Sequence, residues 1–266
     1  RLGRVLRQLG QRREAERETV AAREAFARTG DVYLDAGTGL DLATLLAERG
    51  EILGARHLLD QSIRRIRTLH LDHLLSPAMR LTLQLATARL DQTEASMALS
   101  ALQELTNPDP ETPSVLVRWW RVRGDLTRAL GVEGPQPGTY GYAAWRVERA
   151  RAALANGDHE AARSEASASN TLASKMGLGE LEVYSALILG LLNDTPSRTW
   201  NDLVRKATSS LWTEVYLAAL ETDARRSSEA GHAEEAGRKW TTLRARAAEL
   251  GYRPAVEEAE GWLSLP

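Results

Sequence analysis

The segment GHAEEAGRKWTTLRARAAELG, from Gly231 to Gly251, decides the fold that this sequence predicts. It opens with a glycine, has the small Ala236 five positions later, and then places Trp240 and Leu243 three positions apart. Apolar residues three or four positions apart lie on one face of an α-helix. The segment therefore predicts an amphipathic helix that is bounded by glycine at both ends.

The same spacing of a break residue and a small residue recurs along the chain. The five pairs are Gly10/Ala15, Gly50/Ala55, Leu90/Ala95, Gly157/Ala162 and Gly231/Ala236. The first two intervals between breaks are 40 residues, and the later intervals of 67 and 74 residues each leave room for one more copy. We expect these copies around 113–139 and 193–209. Small residues at such points let the two helices of a hairpin cross closely, which predicts a stack of helical hairpins.

No segment shows the apolar–polar alternation of β-strands, so the predicted fold class is all-α. The segment 131–141, GVEGPQPGTYG, is too rich in proline and glycine for a helix and predicts a loop. We expect this loop to separate residues 1–130 from residues 142–266 within one continuous array of hairpins. The sequence also predicts a single helix over 113–130, and a break at 37–39 before a helix that begins near Leu40.

These patterns resemble the tetratricopeptide-repeat family. Leu2-Gly3 matches the Leu-Gly pair of its first helix, and the Gly/Ala pairs match its second-helix signature. The resemblance covers nearly the whole chain, but the period of about 40 exceeds the usual 34, and the family's Trp, Tyr and closing Pro are mostly missing. It implies an α-α superhelix, a right-handed solenoid of antiparallel hairpins whose first helices line a concave face.

Degenerate arrays of this kind are similar to the regulatory segments of large bacterial signalling proteins and transcription regulators. The resemblance therefore implies a non-catalytic interaction or sensor scaffold that binds a protein or peptide in its concave face. Because the chain begins at Arg1, inside a predicted helix, we expect it to be part of a longer regulator. The alternative is an effector-binding domain of a transcription activator, which would bind a small molecule.

Arginine predominates among the polar residues predicted to line the concave face. By the register of the resemblance, these residues are Arg4, Arg7, Arg80, Gln84, Thr87, Arg151, Glu221 and Arg225. Guanidinium groups bind carboxylates through paired hydrogen bonds, so the set predicts a groove for an acidic segment or a peptide C-terminus. The open alternative is compositional, because arginine is so common here that any polar helix face collects it.

The sequence is rich in tryptophan, and four aromatic residues flank the predicted loop. They are Trp119, Trp120, Tyr140 and Trp145. Adjacent helix residues point about 100° apart, so one of Trp119 and Trp120 should be buried and the other exposed or set against the loop. If a small effector binds, we expect it where this loop meets the aromatic residues. Most of the tryptophans are expected to fill seams between helices.

Composition narrows the function classes. A formal net charge of −2 argues against a general nucleic-acid-binding face, and the absence of cysteine excludes disulfides and thiolate metal sites. No apolar run approaches the roughly 18 residues of a membrane span. We expect a cytoplasmic protein, with the periplasm as the alternative. The apolar stripe of the first helix, formed by Leu2, Val5, Leu6 and Leu9, can support a homodimer.

Motifs for chemistry are weak, and the sequence predicts no enzyme and no cofactor. Gly37-Thr38-Gly39 lacks the lysine and the preceding strand of a phosphate-binding loop, so it is interpreted as a connection between helices. His70, Asp72 and His73 have the wrong spacing for zinc on one helix face and are interpreted as a solvated hairpin tip. No Gly-x-Ser-x-Gly element is present.

Overall fold

The computed structural model describes residues 1–106, 108–193 and 195–264, and within them it contains fifteen α-helices, one short 3-10 helix and no strand. The predicted all-α class is confirmed. The first half comprises α1 Leu2–Gln8, α2 Arg12–Thr29, α3 Val32–Glu48, α4 Ile52–Thr68, the 3-10 helix Asp72–Leu74, α5 Leu75–Arg89, α6 Gln92–Glu104, α7 Thr112–Val122 and α8 Leu126–Gly131. The second half comprises α9 Tyr140–Ala155, α10 His159–Met176, α11 Gly179–Leu192, α12 Ser197–Thr208, α13 Thr213–Glu229, α14 Ala233–Glu249 and α15 Arg253–Leu263.

The repeated break residues lie at hairpin turns, and the small residues that follow them are buried. All five breaks have positive φ, from 55° at Leu90 to 84° at Gly50. This left-handed conformation suits glycine because it has no side chain. The small residues five positions later are at most 5% exposed, as the packing argument requires; they are Ala15, Ala55, Ala95, Ala162 and Ala236.

The first hidden hairpin is formed by α7 and α8, and its turn corrects the prediction of one helix over 113–130. Gly124 adopts φ 75° and splits this segment, and Ala129, five positions later, is fully buried. Gly124 lies 34 residues after Leu90 and 33 before Gly157, so it occupies the missing position in the repeat. The second hidden hairpin is formed by α11 and α12.

The predicted break at 37–39 is wrong, because α3 runs through it from Val32 to Glu48. The helix begins at Asp31, whose side chain accepts a hydrogen bond from the Leu34 amide at 3.0 Å. Inside the helix, the Thr38 hydroxyl bonds back to the Leu34 carbonyl at 2.8 Å. The N-cap and the packing of the buried Ala36, Leu40 and Ala43 outweigh the low helix propensity of the two glycines, since a hydroxyl bonded back to the preceding turn does not itself stabilise a helix.

The helices form two layers. Odd-numbered helices pack against one another in chain order, and each even-numbered helix packs against odd-numbered neighbours. We call the odd-numbered helices the inner layer, because from α3 to α13 each buries more residues than the even-numbered helix that follows it; α5 buries eleven and α6 buries three. The inner layer therefore carries most of the core and positions the candidate site.

The predicted loop is shorter at both ends than 131–141, because α8 ends at Gly131 and α9 begins at Tyr140. Gly141 lies inside α9, where a β-carbon would collide with the Pro110 carbonyl oxygen. Helices α7 and α9 pack directly against each other across the loop. Within the predicted segment 142–266, residues 194, 265 and 266 lie outside the described residues.

Residues distant in sequence close the inner layer. Leu250, which follows α14, lies against Gly50, and α15 packs against α5. Arg12, at the start of α2, pairs with Glu180 in α11 at 2.7 Å. None of the helices described combines the length and the apolar character that a bilayer crossing requires.

Candidate functional site

Buried charged side chains lie inside the first half of the inner layer. We call them the N-terminal charge cluster, and they are Arg7, Arg12, Glu48, Arg80 and Glu111. Arg7 of α1 donates to Glu48 of α3 at 2.6 Å and also pairs with Glu111, just before α7. Arg12 of α2 pairs with the second oxygen of Glu48. One buried carboxylate thus joins three helices.

The remaining arginine pairs complete this cluster. Arg12 also reaches Glu180 at 2.7 Å, and Arg80 lies 3.3 Å from Asp109 and 3.7 Å from Glu111. Each of the three arginines therefore has two carboxylates within reach. The cavity beside Arg80 and Glu111 measures about 20 Å³. This space is large enough for about one water molecule and too small for a ligand, so this part of the inner face is nearly closed.

A second group of buried charges lies in the second half of the inner layer. We call it the C-terminal charge cluster, and its members are Arg118, Arg121, Glu148, Arg151, Glu214 and Glu221. Arg118 donates to one oxygen of Glu148 through Nε at 3.1 Å and Nη2 at 2.9 Å, and pairs with Glu214. The Tyr184 hydroxyl donates to the same Glu148 oxygen at 3.3 Å.

The cluster continues toward α15 through a chain of hydrogen bonds. Arg151 donates to the Tyr184 hydroxyl at 2.8 Å and to Glu221 at 2.6 Å. Arg225 donates to the other Glu221 oxygen at 3.1 Å and pairs with Glu258 of α15. These contacts hold α9, α11, α13 and α15 together around one interior space.

Burial and neighbouring guanidinium groups act in opposite directions on the carboxyl pKa values. Burial raises the pKa of Glu148, but the surrounding arginines, Arg118 first among them, outweigh it and lower the pKa to about 2. Burial is likewise outweighed at Glu111, where Arg7 is the strongest opposing charge and the pKa falls to about 2. At Glu214 burial prevails and the pKa is raised. Most of the network is therefore ionised at neutral pH.

A cavity of about 500 Å³ lies beside the C-terminal charge cluster. Its walls are the C-terminal turns of α7 and α9 together with α11, α13 and α15. Arg121, Arg151 and Arg225 contribute guanidinium groups to the wall, and Leu187 and Leu217 contribute apolar surface. The volume falls within the roughly 300–1,000 Å³ of small-molecule sites. The cavity can accommodate a compact ligand with charged and apolar parts.

All eight residues predicted for the concave face lie on inner-layer helices, but their environments differ. Four are buried: Arg7, Arg80, Gln84 and Thr87. Three line the cavity: Arg151, Glu221 and Arg225. Arg4 is exposed and pairs with Asp41 at 2.9 Å. Their predicted role in partner binding stays a prediction, although only the cavity residues and Arg4 face open space.

The predicted contact aromatics lie in different environments, and two of them, Trp120 and Trp145, pack near the loop. Trp119 is buried, and Trp120 is half-buried with the Arg128 guanidinium 4.8 Å from its ring centre. Trp145 packs against the loop and donates a hydrogen bond from Nε1 to the Val132 carbonyl at 3.1 Å. The different burial of the two adjacent tryptophans agrees with their helical positions.

Tyr140 is separated from these tryptophans in the core. Its ring lies under Arg7 at 5.5 Å, beside the N-terminal charge cluster. Burial raises the pKa of the Tyr140 hydroxyl, and Arg7 only partly opposes this. None of the four aromatic residues lines the 500 Å³ cavity. The small-molecule site at the loop stays a prediction, and the 500 Å³ cavity lies apart from these four residues on the inner face.

The histidine-rich tip is solvated, as the sequence predicts. His70 ends the turn after α4 with φ 52°, and Asp72 and His73 follow it in the 3-10 helix; all three are exposed. Among the described residues there is no group of three or more His, Cys, Asp or Glu side chains positioned to hold a metal ion.

Sequence reasoning missed Arg121 and most carboxylates of the two charge clusters. The missed carboxylates are Glu48, Glu111, Glu148 and Glu214, whereas Glu221 was predicted. A usable signal is present at Glu148, because it follows Val147 within an otherwise apolar face of α9 that includes Ala144 and Ala152. An acidic residue on such a face requires an ion-pair partner if it is buried. The identity of that partner depends on which helices meet in space, and a single sequence does not give it.

No protein-family model matches this sequence, and no curated protein matches it either. The cavity and the two charge clusters are therefore the features from which a function can be inferred.

Proposed function

We propose that this chain is a non-catalytic regulatory scaffold with a tetratricopeptide-like superhelical arrangement, and that it binds a small effector in the cavity of its inner layer. The observation that carries the proposal is the 500 Å³ cavity, whose walls come from five helices of one layer. In the family that the sequence resembles, first helices line the concave face, and the odd-numbered helices correspond to them. A ligand in this cavity would contact five helices at once.

The paired side chains on the rest of the inner face limit the size of the ligand. An extended peptide along that face would have to displace the paired Arg7 and Arg80, which are both 5% exposed. Separating buried ion pairs costs about 3–5 kcal/mol when one partner is removed. A compact ligand held at the cavity alone avoids this cost. Geometry thus favours the effector-binding alternative over a long peptide in the concave face.

The chemistry of the wall supports binding better than catalysis. Its charged groups are three guanidinium groups, which remain protonated in proteins, and four glutamates, each of which pairs with an arginine. The Glu148 carboxyl, with its pKa near 2, stays ionised and cannot serve as a proton donor at neutral pH. Fixed charges of this kind orient a ligand.

The proposal can be tested with a variant that blocks the cavity. Gly261 of α15 lies on the cavity wall, is exposed, and has no atom within 4 Å of an added β-carbon. We expect Gly261→Trp to fold normally and to project its indole into the opening. The matched control is Gly237→Trp in the outer helix α14, where an added β-carbon also meets nothing within 4 Å.

Purified wild type and both variants would be screened against a metabolite library by thermal melting. We expect at least one compound to raise the Tm of wild type and of Gly237→Trp by several degrees, and to leave Gly261→Trp unchanged. If the stabilising compounds act equally on all three proteins, or if none stabilises wild type, the cavity is not the binding site and the proposal fails.

A second candidate function is protein contact, here with another copy of this chain. Large exposed apolar side chains concentrate in the first 34 residues: Leu2, Val5, Leu9, Val32, Tyr33 and Leu34 are each 38–57% exposed. Exposed apolar patches of this type mark interaction surfaces. We expect the mass measured by sedimentation to rise with concentration for wild type, and Val5→Glu with Tyr33→Glu to remain monomeric. A wild-type monomer at all concentrations contradicts self-association.

A further inference from the structure

Arg121 differs from the other arginines around the cavity. It lies in the last turn of α7, and its side chain is 14% exposed. Its closest carboxylate oxygen is Glu148 Oε2, 3.6 Å from Nη2, which is too long for a hydrogen bond. Its Nε is buried and has no hydrogen-bond partner. Within the described residues, this guanidinium group faces the cavity without making a hydrogen bond.

Other arginines make the hydrogen bonds to the neighbouring carboxylates. Glu148 accepts them from Arg118 on Oε1, and Glu221 accepts them from Arg151 and Arg225. Glu148 Oε2 accepts no hydrogen bond among the described residues, so Arg121 forms an ion pair with it but leaves its own N–H donors without a hydrogen bond. A guanidinium group has five N–H donors in a planar fork that matches the two oxygens of a carboxylate.

We propose that the cavity binds a small monocarboxylic acid with an apolar body, and that Arg121 binds its carboxylate. The proposal deepens the effector-binding function and rests on it. Arg121 is then the specificity-determining residue of the site, since Arg151 and Arg225 already donate to a carboxylate and Arg121 makes no hydrogen bond within the described residues.

The charge of the wall selects a monoanion. Beyond Arg121, the charged residues of the wall are two arginines and four glutamates. Arg151 and Arg225 pair with Glu221 and Glu258, whereas Glu214 pairs with Arg118 and Glu257 pairs with Arg253 outside the cavity wall. A second negative charge on the ligand would approach those carboxylates and be repelled. One carboxylate placed at Arg121 avoids this repulsion, whereas dianions and polyphosphates do not.

The remaining wall suits an apolar body. Leu154, Leu187, Leu217 and Trp262 line the same cavity as Arg121. Burying apolar ligand surface against them is favourable by roughly 25 cal/mol per Å². The volume of about 500 Å³ limits the ligand to a compact acid with an alkyl or aryl group.

The test uses matched probes that differ only at the polar end. Hexanoate, 4-phenylbutanoate and decanoate would be compared with their primary amides, and 4-phenylbutylamine would serve as the cationic probe. Binding to wild type would be measured by calorimetry and by the fluorescence of the tryptophans. We expect at least one acid to bind about tenfold or more tightly than its amide, as a charge-assisted hydrogen bond provides.

Variants test whether Arg121 causes the preference for the acid over its amide. We expect Arg121→Gln to bind the acid and its amide equally, and Arg121→Lys to retain part of the preference. The control Arg123→Gln removes an exposed arginine two positions away and should bind as wild type does. Melting curves would show whether each variant is folded. The acid–amide comparison on wild type needs no variant, so it decides the question even if Arg121→Gln does not fold.

The results separate this inference from the effector-binding function. If no acid binds wild type more tightly than its amide, or if Arg121→Gln folds and keeps the preference, the inference is overturned. If neutral or cationic compounds bind in a manner that Gly261→Trp abolishes, the effector-binding function stands without the carboxylate. If binding of every compound survives Gly261→Trp, the effector-binding function fails as well.

Discussion

The two charge clusters of the inner layer contain the same residue types but leave different amounts of open space beside their side chains. In the N-terminal charge cluster, every arginine has two carboxylates within reach, and about 20 Å³ remains unfilled beside them. In the C-terminal charge cluster, Arg121 makes no hydrogen bond in the described structure, and a cavity of about 500 Å³ adjoins it. The first cluster closes the inner face, and the second leaves it open.

This difference shows that buried charge alone does not identify a binding site. Arg7 and Arg12 make hydrogen bonds to carboxylates and tie helices together. Arg80 and Arg121 each have a buried Nε without a hydrogen-bond partner in the described structure, but Arg80 adjoins a space of only about 20 Å³. A buried arginine with unused donors beside open volume is a candidate for ligand recognition instead. The two clusters can be compared directly, since both lie in the inner layer and both consist of arginine and glutamate side chains.

The largest expected effect is on stability in acid, where both clusters lose charge together. The pKa values of Glu111 and Glu148 are lowered from 4.5 to about 2 in the folded protein. Their contribution is present above the unfolded pKa and is lost as the pH falls from about 4.5 to about 2, by up to about 3 kcal/mol for each group. The raised pKa of Glu214 acts oppositely, because its protonation favours the folded state.

Denaturant unfolding at a series of pH values would measure this dependence. We expect stability to change little, or to rise slightly, as the pH falls from 7 to 5, and to drop steeply below 4.5. A steady decline that begins at pH 7 would contradict the ionised state assigned to the two clusters.

The next largest effect is expected from Glu148→Gln in the C-terminal charge cluster. Glu148 is 1% exposed, and its neutralisation leaves Arg118 with Glu214 alone and removes the carboxylate closest to Arg121. We expect the free energy of unfolding to fall by about 3–5 kcal/mol, measured by urea titration. Glu234→Gln, at an 89% exposed carboxylate paired with Arg238, is the control and should change it by about 0.5 kcal/mol or less.

Glu48→Gln in the N-terminal charge cluster is expected to cost less, by about 2–3 kcal/mol, than Glu148→Gln. Arg7 keeps Glu111 and Arg12 keeps Glu180, so neither arginine loses its last carboxylate. The same urea titrations would rank the two variants. Equal or reversed costs would show that the two clusters are not paired differently.

The smallest expected effects come from adding a methyl group to the first and last helices. Gly261→Ala points into open space and should stabilise the protein by up to about 1 kcal/mol through helix propensity. Gly3→Ala would collide with the Thr19 hydroxyl and lie 3.2 Å from the Ala15 carbonyl oxygen, so we expect about 1 kcal/mol of destabilisation. Thermal melting would compare the Tm values of the two variants. Destabilisation by Gly261→Ala would mean that the space beside Gly261 is already filled.

The sequence was sufficient to predict the all-α class and most of the hairpin turns. The turns depend on local chemistry: a glycine in the left-handed conformation and an alanine one and a half turns later suffice at Gly10 or Gly157. The same rule fits Gly124 with Ala129, where a single helix over 113–130 was predicted. It does not apply at Gly37-Thr38-Gly39, which has no alanine at that spacing; the break predicted there from the two glycines is wrong, because tertiary packing keeps α3 helical.

The candidate site could be predicted only in part. The register placed Arg151, Glu221 and Arg225 on the inner layer, where they line the cavity. It could not distinguish them from Arg7 and Arg80, since the pairing partners come from helices that are distant in sequence. Glu111 lies 104 residues from Arg7, and no periodicity encodes that contact.

The contact between Gly50 and Leu250 has a consequence for how the protein unfolds. In an open array of repeats each unit touches only its neighbours, so the terminal units fray independently. Here residues 200 positions apart meet, and α15 packs against α5. Detaching the last helix would also uncover α5 and one wall of the cavity. The amide hydrogens of α15 and of the segment from Gly50 to α5 are therefore expected to exchange in one cooperative opening. A ligand in the cavity would suppress that opening.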